Sequence, residues 1–438
     1  MYSLSNNYKP TFPMQLVTIA IVSIPIWSLL GIKVFIFHAF AFYFLARTLF
    51  LSKGKSELRI SWSIIMLFFF IATYGVSLMI NSINEPIQRV VGSFYNFSFW
   101  LMGFFIILAV YNSNLEVSYF RKLSKSIRNF GLFSGYLGLF LIILWYAIDL
   151  KVYYINSLFG QFFLANAPNI IKSSSLINLI RTDYMLGSTF PRLSLFNLYP
   201  TALGITTSFI LSFTYYYHKT NKRKRLSIKM IFEYVIISIP LVFSLSRTVI
   251  ITTLICLFFF YFLFSKKNKK FLLKIVLLCM VLLVPVILFS KFENLLNQII
   301  QSREGSSDLR GYVYEKALSY FYQNPIIGTG VKFEEPGIPI PIGSHSTFIG
   351  VLMKTGSLGF FTLFAFLSIT LFIWYKKIHI FKNENLIIWK VVGFNFISFT
   401  LWMVTEDIDA PQIVAFLYFF NISLIYSNIS KHTKGELE

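Results

Sequence analysis

Apolar residues in this chain fall into runs of about 20, separated by short polar stretches, and no other feature narrows the fold so far. A helix rises about 1.5 Å per residue, so a run of about 20 crosses the roughly 30 Å hydrocarbon core of a bilayer. Of 438 residues, 56% are hydrophobic and 13% charged. Soluble domains carry roughly 25% charged residues. Fifty-one Phe and 25 Tyr suit both the lipid core and its interface. The sequence therefore predicts an all-α, polytopic integral membrane protein with about twelve transmembrane helices. Their spans run roughly over 12–30, 32–51, 61–80, 94–111, 131–149, 195–217, 231–245, 248–264, 272–290, 356–375, 386–404 and 411–428.

The net charge of +21 would suggest nucleic acid in a soluble chain. Here the Lys and Arg residues crowd into short loops, where they hold a loop on the cytoplasmic side, and no nucleic-acid partner is expected. Twelve spans put the basic loops around Lys53, Arg121, Arg223, Lys267 and Lys376 on one side with both termini. That side is the cytoplasmic one, so two long segments, 150–194 and 291–345, face outward. Within the second, Ser306-Ser307-Asp308 opens a helix over about 308–322 that ends before Asn324-Pro325. Leu309, Val313, Leu318 and Phe321 give it an apolar side suited to the membrane interface. No repeat or linker divides residues 1–438, which read as a single membrane domain.

Some chemistries lack their residues. Cys256 and Cys279 sit within apolar runs, without a partner or a ligand spacing. Lys53-Gly54-Lys55-Ser56 resembles the end of a phosphate-binding loop, but Leu49 stands where its first Gly must be. The chain thus shows no ATP-driven machinery of its own, and no removable signal peptide is evident.

Polar residues at costly positions mark the candidate chemistry. Ser244-Leu245-Ser246-Arg247-Thr248 leaves almost no loop between two spans, so Arg247 sits at or below the outer interface. An Arg there either snorkels to headgroups or clamps an anion with its planar, permanently charged fork. Of five histidines only His345 faces outward, after the Pro336–Pro341 loop and before an apolar stretch interrupted by Lys354-Thr355-Gly356. It is either an exposed loop residue or a group that exchanges protons near neutral pH. Arg303 and Arg310 lie in the same outward segment. Gly328-Thr329-Gly330 reads as a turn. Glu406-Asp407-Ile408-Asp409, in the last outward loop, contains a D-x-D string but reads more plainly as a solvated acidic turn.

Three local patterns resemble the O-antigen ligase and O-antigen polymerase superfamily of bacterial envelope proteins. One is the Ser-x-Ser-Arg step at Ser244, Ser246 and Arg247. The next runs through Arg310, Tyr314, Ala317-Leu318, Asn324-Pro325 and Gly328-Thr329-Gly330. The last starts at His345 and ends at Gly356-Ser357-Leu358-Gly359. Arg192, in Pro191-Arg192-Leu193-Ser194 with Pro200 following, adds to them. Tyr314 stands where the family often has Trp, Ser346 where it often has Asn, and Thr201 where it often has Asn.

The resemblance implies a multi-spanning, GT-C-like, metal-independent glycosyltransferase without a cofactor. Its donor would be an oligosaccharide on undecaprenyl pyrophosphate, delivered by a flippase to the outer face of the bacterial cytoplasmic membrane. A chain-length regulator is a further expected partner beside the lipid bilayer. The polymerase type is favoured over a ligase that hands the finished chain to lipid A core. A transporter of polyprenyl-linked sugars is the alternative from another class, although the chain shows no two matching halves. In this reading Arg247 and Arg310 hold the pyrophosphate, with Arg192, Arg303 and Ser246 as further contacts. His345 deprotonates the acceptor hydroxyl, or hydrogen-bonds the pyrophosphate if the base lies elsewhere, with Asp407 as the other candidate base.

Overall fold

The computed structural model describes residues 11–51, 58–83, 85–149, 151–163, 176–185, 188–221, 227–264, 304–338, 340–381, 383–410 and 412–430. It is a mostly helical bundle. The helices are α1 (Met14–Val22), α2 (Ile24–Leu30), α3 (Lys33–Leu51), α4 (Trp62–Asn81), α5 (Ile87–Tyr111), α6 (Val117–Ala147), α7 (Leu158–Phe163), α8 (Pro200–Thr220), α9 (Ile228–Phe243), α10 (Arg247–Phe264), α11 (Glu304–Gln323), α12 (Thr347–Ile380), α13 (Asn383–Trp402) and α14 (Gln412–Tyr426).

Six described helices, α3, α4, α5, α6, α12 and α13, are long and apolar enough to cross a membrane. Stretches of α10 and α14 are apolar but shorter. The expected span 272–290 and Arg303 lie outside the described residues. The expected span 12–30 divides into α1 and α2 at Ser23, because Pro25 sits in the first turn of α2 and has no N–H to continue the ladder. Helix α6 starts well before residue 131, since Arg121, Lys122, Lys125 and Arg128 continue it beyond its apolar part.

Helix α14 is apolar all round, and its residues from Val414 to Ile425 are fully buried. It packs against α5 and α13, with Trp100 and Phe419 in edge contact. The outer faces instead expose Phe42, Phe68, Phe69, Phe140, Ile143, Phe361 and Phe364. A soluble protein rarely leaves so broad an apolar surface bare, and a bilayer covers it.

Each end of the bundle has its own polar structure. At one end, β1 (Asn114–Glu116) pairs in parallel with β5 (Asn428–Ser430), and Thr11 bridges to Asn114. Arg121 pairs with Glu384, and Arg128 with Glu233, which ties α6 to α13 and α9. At the other end the segment 150–194 is not plain loop. It forms an antiparallel sheet of β2 (Tyr153–Asn156), β3 (Leu176–Met185) and β4 (Ser188–Leu193), in which Arg181 lies opposite Arg192. Its strands were hidden in the sequence by the loop-like composition around them.

Helix α12 is broken. Gly356 adopts φ 62° and ψ −168° inside it. The break frees backbone groups that hydrocarbon cannot satisfy, and the loop after α11 supplies their partners. Thr329 N donates to Met353 O at 2.9 Å and Gly330 N to Lys354 O at 2.8 Å. Ser357 N in turn donates to Pro325 O at 2.8 Å, and Ser77 Oγ of α4 to Lys354 O at 2.8 Å. The Gly328-Thr329-Gly330 turn is thus a plug for the helix break. A Cβ on Gly356 would lie 2.3 Å from Ile326 O. Gly356→Ala therefore meets both backbone strain and a backbone clash. Its expected cost is about 1–3 kcal/mol, to be measured as a lowered melting temperature in detergent. A variant that melts with the parent would show that the break does not need glycine.

Candidate functional site

Among the described residues, those singled out in the sequence gather in two places at the end opposite the β1–β5 pair. The first is the turn between α9 and α10. Only Ser244, Leu245 and Ser246 separate the two helices, and Leu245 takes φ 49° to close the turn. Ser246 Oγ accepts from Val249 N at 3.4 Å and caps α10, whose first residue is the half-buried Arg247. Arg192, on β4, is buried; its Nε donates to Ser244 O at 2.9 Å and its Nη1 to Asp183 Oδ2 at 2.9 Å. Arg192 therefore braces the turn that presents Arg247. Gly204 of α8 packs against Ser244 Oγ.

The second place is the loop between α13 and α14, with the elements that close on it. The acidic run there is not a solvated turn. Glu406, Asp407 and Asp409 are 3%, 7% and 2% exposed, and each meets a cation. Arg310 of α11 donates through Nη2 to Glu406 Oε1 at 3.0 Å. Lys332 Nζ donates to Asp407 Oδ2 at 2.8 Å and lies 3.6 Å from Asp409 Oδ1. Lys354, just before the break in α12, donates to Asp409 Oδ2 at 2.5 Å and stands over the Tyr74 ring. Buried carboxylates persist because these cations offset the lost hydration. Burial alone would raise the Asp409 carboxyl, but Lys354 and Lys332 override it and hold it below the ordinary carboxylate range. Burial likewise lowers the Lys332 ammonium, while Asp407 and Asp409 bring it above its ordinary value.

His345 stands at the edge of this network. Its Nδ1 is 3.9 Å from Glu406 Oε2, and its side chain is 25% exposed. Its backbone has φ 64°, a conformation costly for a residue with a side chain, and Tyr314 donates its hydroxyl to His345 O at 2.7 Å. Ser346 caps α12 through Ile349 N. Tyr314 comes from α11, whose Val313 and Ala317 pack on Ile342 and Met353. The helix expected over 308–322 is thus present as α11, and its buried side lies against the protein. Tyr199, at the start of α8, interacts electrostatically with Glu406, Asp407, Asp409 and Arg310, which brings the N-terminus of α8 between the two places.

The structure thus joins Arg310, His345 and Asp407 in one cluster, and Arg192, Ser246 and Arg247 in a second. Sequence reasoning missed Lys332, Lys354, Glu406 and Asp409 as members of the cluster. For Lys354 a signal existed, because a lone cation in an apolar stretch demands an anion. Nothing local marked Lys332 among the loop residues around it.

A bundle with a lipid-suited surface and a charged cluster at one end defines a polytopic membrane protein. Residues 233–364 match the family model described as O-antigen ligase, which supports the O-antigen ligase and polymerase superfamily. The matched segment starts in α9, ends in α12, and includes Arg247, Arg310, Lys332, His345 and Lys354. No curated protein matches the chain.

Proposed function

We propose that this protein is a membrane glycosyltransferase that polymerises undecaprenyl-pyrophosphate-linked repeat units into surface polysaccharide at the outer face of the bacterial cytoplasmic membrane. The observation that carries the reading is the convergence of Arg310 and His345 on one buried carboxylate, Glu406, within and beside the matched segment. In the reaction the acceptor hydroxyl oxygen bonds to the anomeric carbon of the donor sugar. The bond from that carbon to the pyrophosphate oxygen breaks, and polyprenyl pyrophosphate leaves with the electron pair. His345 takes the hydroxyl proton. Arg247 and Arg310 stabilise the charge that grows on the leaving group. The bond energy is stored in the donor, so no nucleotide is consumed.

A second reading, transfer of a finished chain to a different acceptor such as lipid A core, is favoured by the description of the matching family. Both readings use the same donor and the same residues. The test uses protein in lipid vesicles with undecaprenyl-pyrophosphate-linked repeat units as sole substrate. A ladder of product lengths, lost in Arg247→Ala and His345→Ala, is expected. Transfer of one chain only after a core-lipid acceptor is added would replace polymerase by ligase. No transfer to any acceptor would overturn the glycosyltransferase reading, and normal ladders from both variants would remove these residues from the reaction.

A further inference from the structure

Resting on that reading, we infer that Glu406 is the positioning residue for His345: its carboxylate orients the ring and stabilises the imidazolium formed when the acceptor loses its proton. The carboxylate is shared between two neighbours. Oε1 accepts from Arg310 at 3.0 Å, while Oε2 is turned to His345 Nδ1 at 3.9 Å. An ion pair of this length shortens once the imidazole is charged, and catalytic contacts are commonly long before substrate binds. Asp407 and Asp409 are committed elsewhere, to Lys332 and Lys354, so Glu406 is the acidic side chain of this loop that meets His345.

The backbone fixes the pair from both sides. Glu406 O accepts from Thr347 N at 3.1 Å and from Thr347 Oγ1 at 2.7 Å, and Ile408 N donates to Thr347 Oγ1 at 2.9 Å. Thr347 lies two residues after His345 and begins α12. The His345 carbonyl is held by Tyr314, and its positive φ sets the direction in which the ring leaves the chain. A residue strained in this way is a costly arrangement, and such strain persists where the surroundings over-determine it. With Nδ1 towards Glu406, the ring's Nε2 is the atom left to take the acceptor proton, which then passes to solvent.

The charged and titratable groups around Glu406 come from several elements. Arg310 and Tyr314 face it from α11, His345 from the segment before α12, and Tyr199 from the start of α8. Asp407 and Asp409 share its loop, each held by a lysine.

The experiment measures kcat and donor KM for polymerisation in vesicles with the parent, Glu406→Gln, Glu406→Asp, His345→Ala and the double variant of Glu406→Gln with His345→Ala. Glu406→Gln is expected to lower kcat roughly 10- to 100-fold. Its donor KM does not rise, because Arg310 loses a competing anion. In the His345→Ala background the same change has no further effect. Glu406→Asp keeps the charge and recovers part of the rate, which serves if the Gln variant folds poorly. A parent-like kcat with a raised donor KM would assign Glu406 to Arg310 alone and overturn the inference, as would additive losses in the double variant. An inactive parent would instead bring down the glycosyl-transfer reading, and this inference with it.

Discussion

Lys354→Met is expected to lower the melting temperature of the detergent-solubilised protein more than any other single change considered. Lys354 and Asp409 are each 3% exposed in their side chains and meet at 2.5 Å. Removing one partner of a buried pair leaves an uncompensated charge, at about 3–5 kcal/mol. Lys332, 3.6 Å from the other oxygen of Asp409, draws the value to the lower end of that range. The loss also reaches the site, because Lys354 borders the break in α12 and Asp409 anchors the loop that carries Glu406. The double variant Lys354→Met with Asp409→Leu carries no buried charge at the pair and is expected to recover most of the stability. Melting curves of the two variants and the parent decide the matter. A single variant as stable as the parent would mean that the pair contributes nothing to holding the loop on α12.

Arg310→Ala is expected to reduce transfer by about 100- to 1000-fold, the usual consequence of removing one group that stabilises transition-state charge. The change has two effects that must be separated. It removes a donor that the pyrophosphate would use, and it strands Glu406, whose side chain is 4% exposed. The variant Arg310→Ala with Glu406→Gln removes the stranded charge. If Arg310 acts on the donor, this second variant folds as the parent does and stays inactive. If it reaches the rate of Glu406→Gln alone, Arg310 serves only to neutralise Glu406. Initial rates with lipid-linked donor, beside melting temperatures of the same samples, provide the measurement.

The membrane class was legible because hydrocarbon imposes a simple rule. A helix that crosses it must be apolar for about 20 residues, and that length is visible in any window of the chain. The positions of helix ends were less so. Arg121 to Arg128 read as a loop but continue α6, because charged residues are good helix formers once they clear the hydrocarbon. The sheet of segment 150–194 was missed because loop-like composition surrounds its strands, which carry charged residues at Arg181, Asp183 and Arg192.

Within the site, Arg247 stood out because two spans meet there with no room for a loop, and His345 because the loop charges predict an outward position for it. Asp407 was noticed for its D-x-D spacing, yet spacing said nothing of its partner. The structure gives that partner as Lys332, and gives the neighbour of His345 as Glu406. Adjacent residues in a loop point in different directions, and only the packing of α11, α12 and the loop at 403–410 selects which carboxylate meets which cation.

The sequence by itself determined that this chain lives in a bilayer and that much of its charge gathers at the ends of its helices, and it singled out arginines and one histidine as candidates for its chemistry. Those follow from transfer free energies, which each residue carries with it wherever it sits. Tertiary structure alone decided the rest. The break at Gly356 is filled from the loop after α11, Lys354 is buried against Asp409, and Arg310 and His345 share Glu406. Those are pairings between residues far apart in the chain. A charge in a dry interior takes whatever partner the fold brings within reach, and no local stretch of sequence records which one that is.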